Sequence, residues 1–274
     1  MNRLDALLEK VDQCDRQLAE QLEKRLEIIL EIMEEKKGQG LPVFSKEREA
    51  QRINQIGHYV NNPSLRDEVR YIHQHVMRSC RRIQSRRLFP YHLILAGFMG
   101  SGKTTVGMEL SEMLMMEQVD VDRVIEDRMN MSVSEIFQMY GETTFREIES
   151  SVVEELSKRQ KVSIFCSGGG VVLNERNVEN LKRTGVVIWL KATPQEIYKR
   201  ISEDTSRPLL KDNMTVEKIG NLLQDRLPLY EKAADIAIET DGKDAERVSL
   251  EIVDQLVQTD FQRKLDHQQA GNAR

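Results

Sequence analysis

The sequence predicts two folds in tandem: an all-α domain of three helices over residues 1–90, then an α/β domain over residues 91–260 in which helices cover a parallel sheet. Three observations predict them. No Gly or Pro interrupts Asn2 to Lys37, and apolar residues recur there at helical spacing. After Phe89-Pro90 the pattern changes to short β-rich runs alternating with helical stretches, and the first of those runs leads into a glycine-rich loop, Gly97 to Thr104. Residues 261–274 read as a polar, frayed tail.

The first helix carries Leu4, Leu7, Leu8, Val11, Leu18, Leu22, Ile29, Ile32 and Met33 on its apolar stripe and spans roughly 50 Å. Gly38, Gly40 and Pro42 break it. Ser45 is suited to cap a second helix over residues 46–60, and Asn61-Asn62-Pro63-Ser64 breaks and caps again before a third helix from Leu65 to about Arg87. Three helices of such unequal length cannot cover the long stripe by themselves, so a second copy of the chain is the expected cover, giving a homodimer.

Beyond Pro90 the order is a strand HLILA, a helix from about Thr104, and a helix SVVEELSKRQ leading into strand VSIFC. Strand VVIWLK, a helix through EIYKRISE, a helix leading to LPLYEKAA, strand DIAIET and a last helix ending near Gln258 complete it. Strand and helix alternating in this way argue for parallel pairing with helices on both faces.

Composition limits the setting. Residues 1–90 carry 17 Lys/Arg against 14 Asp/Glu and the remainder 23 against 31, so the two parts differ in sign within a net charge of -5. No apolar run approaches the 18 or so residues of a membrane span, the opening MNRLDALLEK lacks a signal-peptide pattern, and a cytoplasmic location without membrane attachment is expected. Cys14, Cys80 and Cys166 are too scattered for a disulfide framework or a zinc site. The basic run RRIQSRR, Arg81 to Arg87, lacks interleaved aromatics and reads as a solvated helix face or a small-anion site, not as a nucleic-acid surface.

Gly97-Phe-Met-Gly-Ser-Gly102-Lys103-Thr104 satisfies G-x-x-x-x-G-K-[ST] between a strand and a helix, the context in which that motif cradles nucleotide phosphates. Backbone N–H groups and the helix N-terminus receive the β-phosphate, Lys103 reaches the β- and γ-phosphates, and the Thr104 hydroxyl ligates magnesium. ATP or GTP follows, and the acceptor must be read from four further landmarks. Val119-Asp120-Val121-Asp122 places two acids at a spacing that shares one face of a strand, one for the metal's water shell and one for a polyol or its proton; solvated acids at a helix start are the alternative. GETTFREIE puts Arg146 on a helix beside Phe145. CSGGG ends a buried strand in Gly168, Gly169 and Gly170, which lets a ligand approach the main chain. Arg207 and Arg226 stand in TSRPLL and DRLPLY.

Together these segments resemble shikimate kinase over residues 92 to about 258. The resemblance implies an α/β P-loop kinase domain with a mobile lid, about residues 203–214, and ATP bound by Gly100, Ser101, Gly102, Lys103, Thr104 and Thr105 with Mg2+ at Thr104 and Asp120. It further implies that Asp122 binds the shikimate hydroxyls and acts as base at the 3-hydroxyl, and that Arg146 and Arg226 hold the carboxylate beside Gly169 and Gly170. Arg207 would bring lid charge to the transferring phosphate and Arg200 would face the adenine. A gluconate kinase is the related alternative, against which the SGGG turn and the arginine segments argue.

On the first helix Arg25 and Lys36 lie about 20° apart in angle and roughly 16 Å along the axis, so both can point toward one anion or snorkel from the stripe's edge. LDALLEKVDQCDRQLAEQLEKRLEI, LPVFSKERE and SCRRIQ resemble the all-helical chorismate mutase family over residues 1–87. The resemblance implies an intertwined dimer that binds chorismate through Arg25, Lys36, Arg48, Glu49 and Gln84. The chain departs from that pattern at Leu8, where the family offers an arginine to the partner's site, at Ser45 in place of an aspartate, and at Cys80 in place of a serine. Two expectations stand side by side: a working mutase, or a non-catalytic dimerisation or ligand-sensing module.

Overall fold

A computed structural model describes residues 2–202 and 215–259. The chain divides between Leu88 and Phe89 into two compact units.

In the first unit, α1 runs Arg3–Gly38 and opens with a capping box in which Asn2 and Asp5 satisfy each other's backbone N–H groups. Its C-terminal half packs, burying Ile29 and Met33. Its N-terminal half does not: Leu4, Leu7, Leu8, Val11 and Leu18 are each 50–59% exposed. α2, Lys46–His58, is capped by Ser45, whose Oγ accepts from the Arg48 N–H. Asn62 caps a short 3-10 turn, Pro63–Leu65, that feeds α3, Arg66–Leu88. α2 and α3 approach so closely at Gly57 that a Cβ there would meet the Arg70 guanidinium.

The second unit is a five-stranded parallel sheet in the order β2-β3-β1-β4-β5. Its strands are β1 His92–Ala96, β2 Glu117–Asp120, β3 Ser163–Cys166, β4 Gly185–Lys191 and β5 Ile236–Glu239. The helices are α4 Lys103–Leu114, α5 Val121–Met129, α6 Val133–Ser157, α7 Glu175–Lys182, α8 Pro194–Ser202, α9 Val216–Ala233 and α10 Ala245–Gln258. Both faces of the sheet are covered. Ile94, Ala96, Phe165, Val187 and Trp189 cluster with residues of α6, α7 and α9, while the alternating Leu93, Leu95, Ile164, Val186 and Ile188 are buried on the side where α4 packs on β1, β2 and β3 and against α10. The strand-helix alternation read from the sequence is therefore present, with two added helices, α5 directly after β2 and α7 between β3 and β4.

Register decides where the chemistry gathers. Leu95 and Asp120 both pair with Cys166, so the carboxyl ends of β1, β2 and β3 finish level, and the loops leaving them share one rim, the usual ligand crevice of such a sheet. Among the described residues no helix is long and apolar enough to cross a membrane.

Candidate active site

β1 passes at Gly97 into the phosphate loop, which turns through left-handed backbone at Gly100 (φ 74°) and Gly102 (φ 95°), the residue capping α4. α4 thus begins with its free N–H groups facing the rim. Lys103 Nζ donates to the carbonyls of Gly97 and Phe98, each at 2.9 Å, which folds the ammonium along the loop it belongs to. Ser101 is buried, and Thr104 and Thr105 lie exposed on the first turn of the helix. On the opposite wall Arg200 of α8 donates to the Gly100 carbonyl (3.3 Å) and to Thr240 at the end of β5 (Oγ1 3.0 Å, carbonyl 2.8 Å), and pairs with Glu196 (2.9 Å). Arg207 and the expected lid lie outside the described residues.

The two acids are arranged otherwise than strand spacing predicts. β2 ends at Asp120, whose Oδ1 accepts the Asp122 N–H (3.1 Å) and the Arg123 N–H (3.5 Å), so the carboxylate caps α5 and the chain turns helical at Val121. Residues two apart on a helix point about 200° from each other, and the pair does separate. Asp120 Oδ2 meets the Thr104 hydroxyl at 3.2 Å, whereas Asp122 reaches the SGGG segment: a Cβ on Gly168 would stand 2.8 Å from Asp122 Oδ1. The helix-start alternative describes Asp120, and the shared strand face is corrected; the separation serves two different ends of one site.

Gly170 is glycine for a contact and not for its backbone angle. A Cβ there would overlap the guanidinium of Arg146, which closes onto the main chain at this point. Arg146 is held from both sides, by Glu149 (2.8 Å) and Glu142 (3.1 Å), and lies over the Phe145 ring with its carbon 5.2 Å from the centroid. Gly170→Ala is expected to push Arg146 aside and raise the KM for the acceptor about tenfold, roughly 1.4 kcal/mol, with kcat changed less. Steady-state kinetics at saturating ATP would read it, and an unchanged KM would mean that Arg146 does not touch the acceptor.

Two residues of this site escaped the sequence reading. Glu149 is 1% exposed; burial pushes its carboxyl above the usual range and the Arg146 guanidinium opposes that shift. Its second oxygen would stand 3.0 Å from a Cβ on Gly168, beside Asp122. The R-x-x-E spacing in FREIE, one helical turn, was the available signal. Tyr230 is stacked on Trp189 with centroids 5.6 Å apart and donates its hydroxyl to the Gly169 carbonyl at 2.5 Å. Burial raises that phenol to about 12, and the nearby Arg226, hydrogen-bonded to it, opposes the rise. Arg226 itself lies over the Phe98 ring of the phosphate loop, 5.3 Å from the centroid.

The helical unit gathers polar groups of its own. Arg25 donates to Cys80 Sγ (2.7 Å) and Met77 Sδ (3.0 Å). Lys36 donates to the carbonyls of Pro42 and Val43 at 3.0 and 3.1 Å, and its ammonium is lowered by burial and then by Arg48 and Arg52. Glu49 lies 3.6 Å from Arg81; burial raises its carboxyl, against the pull of Arg81 and Arg52. Gln84 is buried and Arg48 exposed.

Comparison with known proteins bears on both units. The shikimate kinase family model matches residues 99–257 and the chorismate mutase type II model matches residues 7–85. Shikimate kinase of Thermodesulfovibrio yellowstonii is 42% identical over 162 residues, 59% of this chain and 92% of that protein. The enzyme of Caldicellulosiruptor bescii is 43% identical over 150 residues, 55% and 86% of the two chains. Among solved structures, shikimate kinase from Acinetobacter baumannii in complex with shikimate is 35% identical with a TM-score of 0.57, covering 61% of this chain and 93% of its own. The Aquifex aeolicus shikimate kinase is also 35% identical, with a TM-score of 0.51 over 59% and 94%. An ATP-dependent kinase sheet with its phosphate loop intact, preceded by a helical unit of a second family, is what these matches describe: the chain belongs to the shikimate kinase family and carries a chorismate mutase type II domain on its N-terminal side.

Proposed function

We propose that the α/β unit transfers the γ-phosphate of ATP to the 3-hydroxyl of shikimate, and that the helical unit rearranges chorismate to prephenate. The observation that carries the first part is the meeting of opposite charges on the SGGG segment beside the phosphate loop. Asp122 reaches it at Gly168, Arg146 at Gly170, and Arg226 through Tyr230 at Gly169. An acceptor with a carboxylate at one end and hydroxyls at the other is held in one orientation by such a pairing.

The Thr104 hydroxyl and Asp120 Oδ2, 3.2 Å apart just past the phosphate loop, are hard oxygen donors of the kind magnesium takes alongside substrate phosphates. Among the described residues no group of three His, Cys, Asp or Glu side chains offers an all-protein metal cage. When bound, Mg2+ supplies charge neutralisation on the β- and γ-phosphate oxygens. The chain's residues do the rest. The loop N–H groups and Lys103 hold the phosphates, and Arg146 and Arg226 fix the acceptor's carboxylate. Asp122 takes the proton of the 3-hydroxyl as its oxygen bonds to the γ-phosphorus and the bond from that phosphorus to the β–γ bridging oxygen breaks, releasing ADP. Arg200 lines the nucleotide side.

For the helical unit, a homodimer is supported by the half-exposed leucines along the first part of α1, each worth about 1.5–3 kcal/mol if fully covered. Three free cysteines fit a reducing cytoplasm. A non-catalytic module remains the second reading, favoured by Leu8, which brings no charge where the mutase pattern has an arginine. One preparation tests both. ATP turnover by the full chain should rise at least a hundredfold on adding shikimate, with the product's mass increased by one phosphoryl group, and chorismate should disappear faster than its uncatalysed rearrangement. ATP turnover indifferent to shikimate would refute the kinase acceptor; chorismate loss at the uncatalysed rate would leave the helical unit non-enzymatic.

A further inference from the structure

The helical unit holds more positive charge around one point than the mutase pattern assigns to it. Arg25 and Lys36 come from α1, Arg48 and Arg52 from α2, and Arg81 from α3. Arg52 acts electrostatically on Lys36, on Glu49 and on His73, and Arg25 also acts on His73, so these side chains from three helices share one neighbourhood. Glu49 is the acid in this neighbourhood with an ion-pair partner, Arg81.

Among the described residues Arg25 and Lys36 have no carboxylate partner. Arg25, half-buried, spends its guanidinium on two sulfur atoms, Cys80 Sγ and Met77 Sδ, which are poor acceptors for a charged donor. Lys36 points its ammonium at two backbone carbonyls and is lowered partly by its like-charged neighbours Arg48 and Arg52. Arg48 and Arg52 are exposed, so the partly buried charges are Arg25, Lys36 and Arg81 against the one carboxylate of Glu49, a surplus that a small dianion would neutralise.

Leu8 cannot contribute to that site. It is 17 residues from Arg25 on the same straight helix, roughly 25 Å along the axis, and carries no charge to offer to another chain. Arg81 is placed where it can. On α3 it lies one turn beyond Met77 and one turn before Gln84, the same face that receives Arg25, and its side chain is 18% exposed. The Nε atom is buried, with no hydrogen-bond partner and the Glu49 carboxylate 3.6 Å away.

We propose that Arg81 is a ligand-binding residue of the helical unit, supplying from the chain itself the cation that Leu8 does not, and that it contacts a dicarboxylate bound beside Glu49 between α1, α2 and α3. This rests on reading the unit as a mutase-type site. It gives the basic run that begins at Arg81 a specific use: its first member turns inward to a small anion, while Arg82, Arg86 and Arg87 stay exposed.

Calorimetric titration of the full chain with prephenate, a dicarboxylate, tests it. R81M should weaken binding at least tenfold, and R81K should recover to within about threefold of the parent chain, because charge and not guanidinium shape is what the surplus requires. The double variant R81M/E49Q separates contact from mere neutralisation of Glu49: it should remain as weak as R81M. Recovery of parental affinity in the double variant, or R81M binding within twofold of the parent, would overturn the proposal while K36M still lost binding. If the parent chain bound no prephenate, or K36M bound it normally, the mutase-type site itself would fall and the proposal with it. Far-UV circular dichroism of R81M and R81K against the parent identifies a variant whose helices have not formed, and R81Q, expected to weaken binding as R81M does, carries the test if R81M does not fold; R81Q binding within twofold of the parent would overturn the proposal.

Discussion

Asp122→Asn is expected to slow phosphorylation of shikimate by on the order of 10²–10⁴-fold while leaving ATP affinity within about twofold. Asparagine keeps the shape and can still bond a hydroxyl, so orientation of the acceptor largely survives; what disappears is the capacity to take a proton. The nucleotide end is insulated from the change because Asp120, not Asp122, meets Thr104 and caps α5. Rapid-quench or steady-state kinetics with shikimate, paired with a nucleotide titration, would separate the two effects. A fully active Asp122→Asn chain would end the assignment of this residue as base. The buried carboxyl of Glu149, which reaches Gly168 beside Asp122, would then be the group to replace next.

The second large effect is at the phosphate loop. Lys103→Met should reduce phosphoryl transfer by about 10³-fold or more, since a fixed positive charge at the developing phosphate charge is lost in a site where solvent screening is weak. The fold should tolerate the change. Lys103 Nζ donates to two carbonyls of its own loop, Gly97 and Phe98, so the hydrogen bonds lost are local to the loop and hold no strand or helix in place. Lys103→Arg is not expected to rescue, because a planar fork does not fit between two carbonyls that a single ammonium spans. Equal turnover in Lys103→Met and the parent chain, with both melting at the same temperature, would contradict the role.

How much of this was legible depended on whether a residue's signal was local. The phosphate loop was legible because its glycines, lysine and threonine act within eight consecutive residues, between a strand and a helix that each have their own periodicity. Arg146 was legible from its helix, and the SGGG segment from its composition. The acids were legible as a pair but not in arrangement. Alternation at positions 119–122 fits a strand, and the same letters fit a strand that ends in an N-cap; the choice is made by hydrogen bonds from Asp122 and Arg123 that no pattern of side chains encodes. Tyr230 was invisible because its function is a hydroxyl aimed at a carbonyl 61 residues away in the chain. α7 was missed because eight residues with a mixed polar pattern look like a loop. In the helical unit, α1 and its uncovered face could be read from periodicity, whereas the inward turn of Arg81 out of a basic run could not.

Asp120 uses its two oxygens for different tasks, one closing the first turn of α5 and the other meeting Thr104. In evolutionary terms that makes the position almost closed to drift. Asparagine would keep the cap and lose the charge; glutamate would keep the charge and move the cap, and with it the helix that carries Asp122; serine or threonine would keep neither the charge nor the reach. On the proposed roles, a lineage could change its acceptor by altering Arg146 or Arg226 in separate steps, while a step at Asp120 would disturb the nucleotide end and the helix that carries Asp122 together.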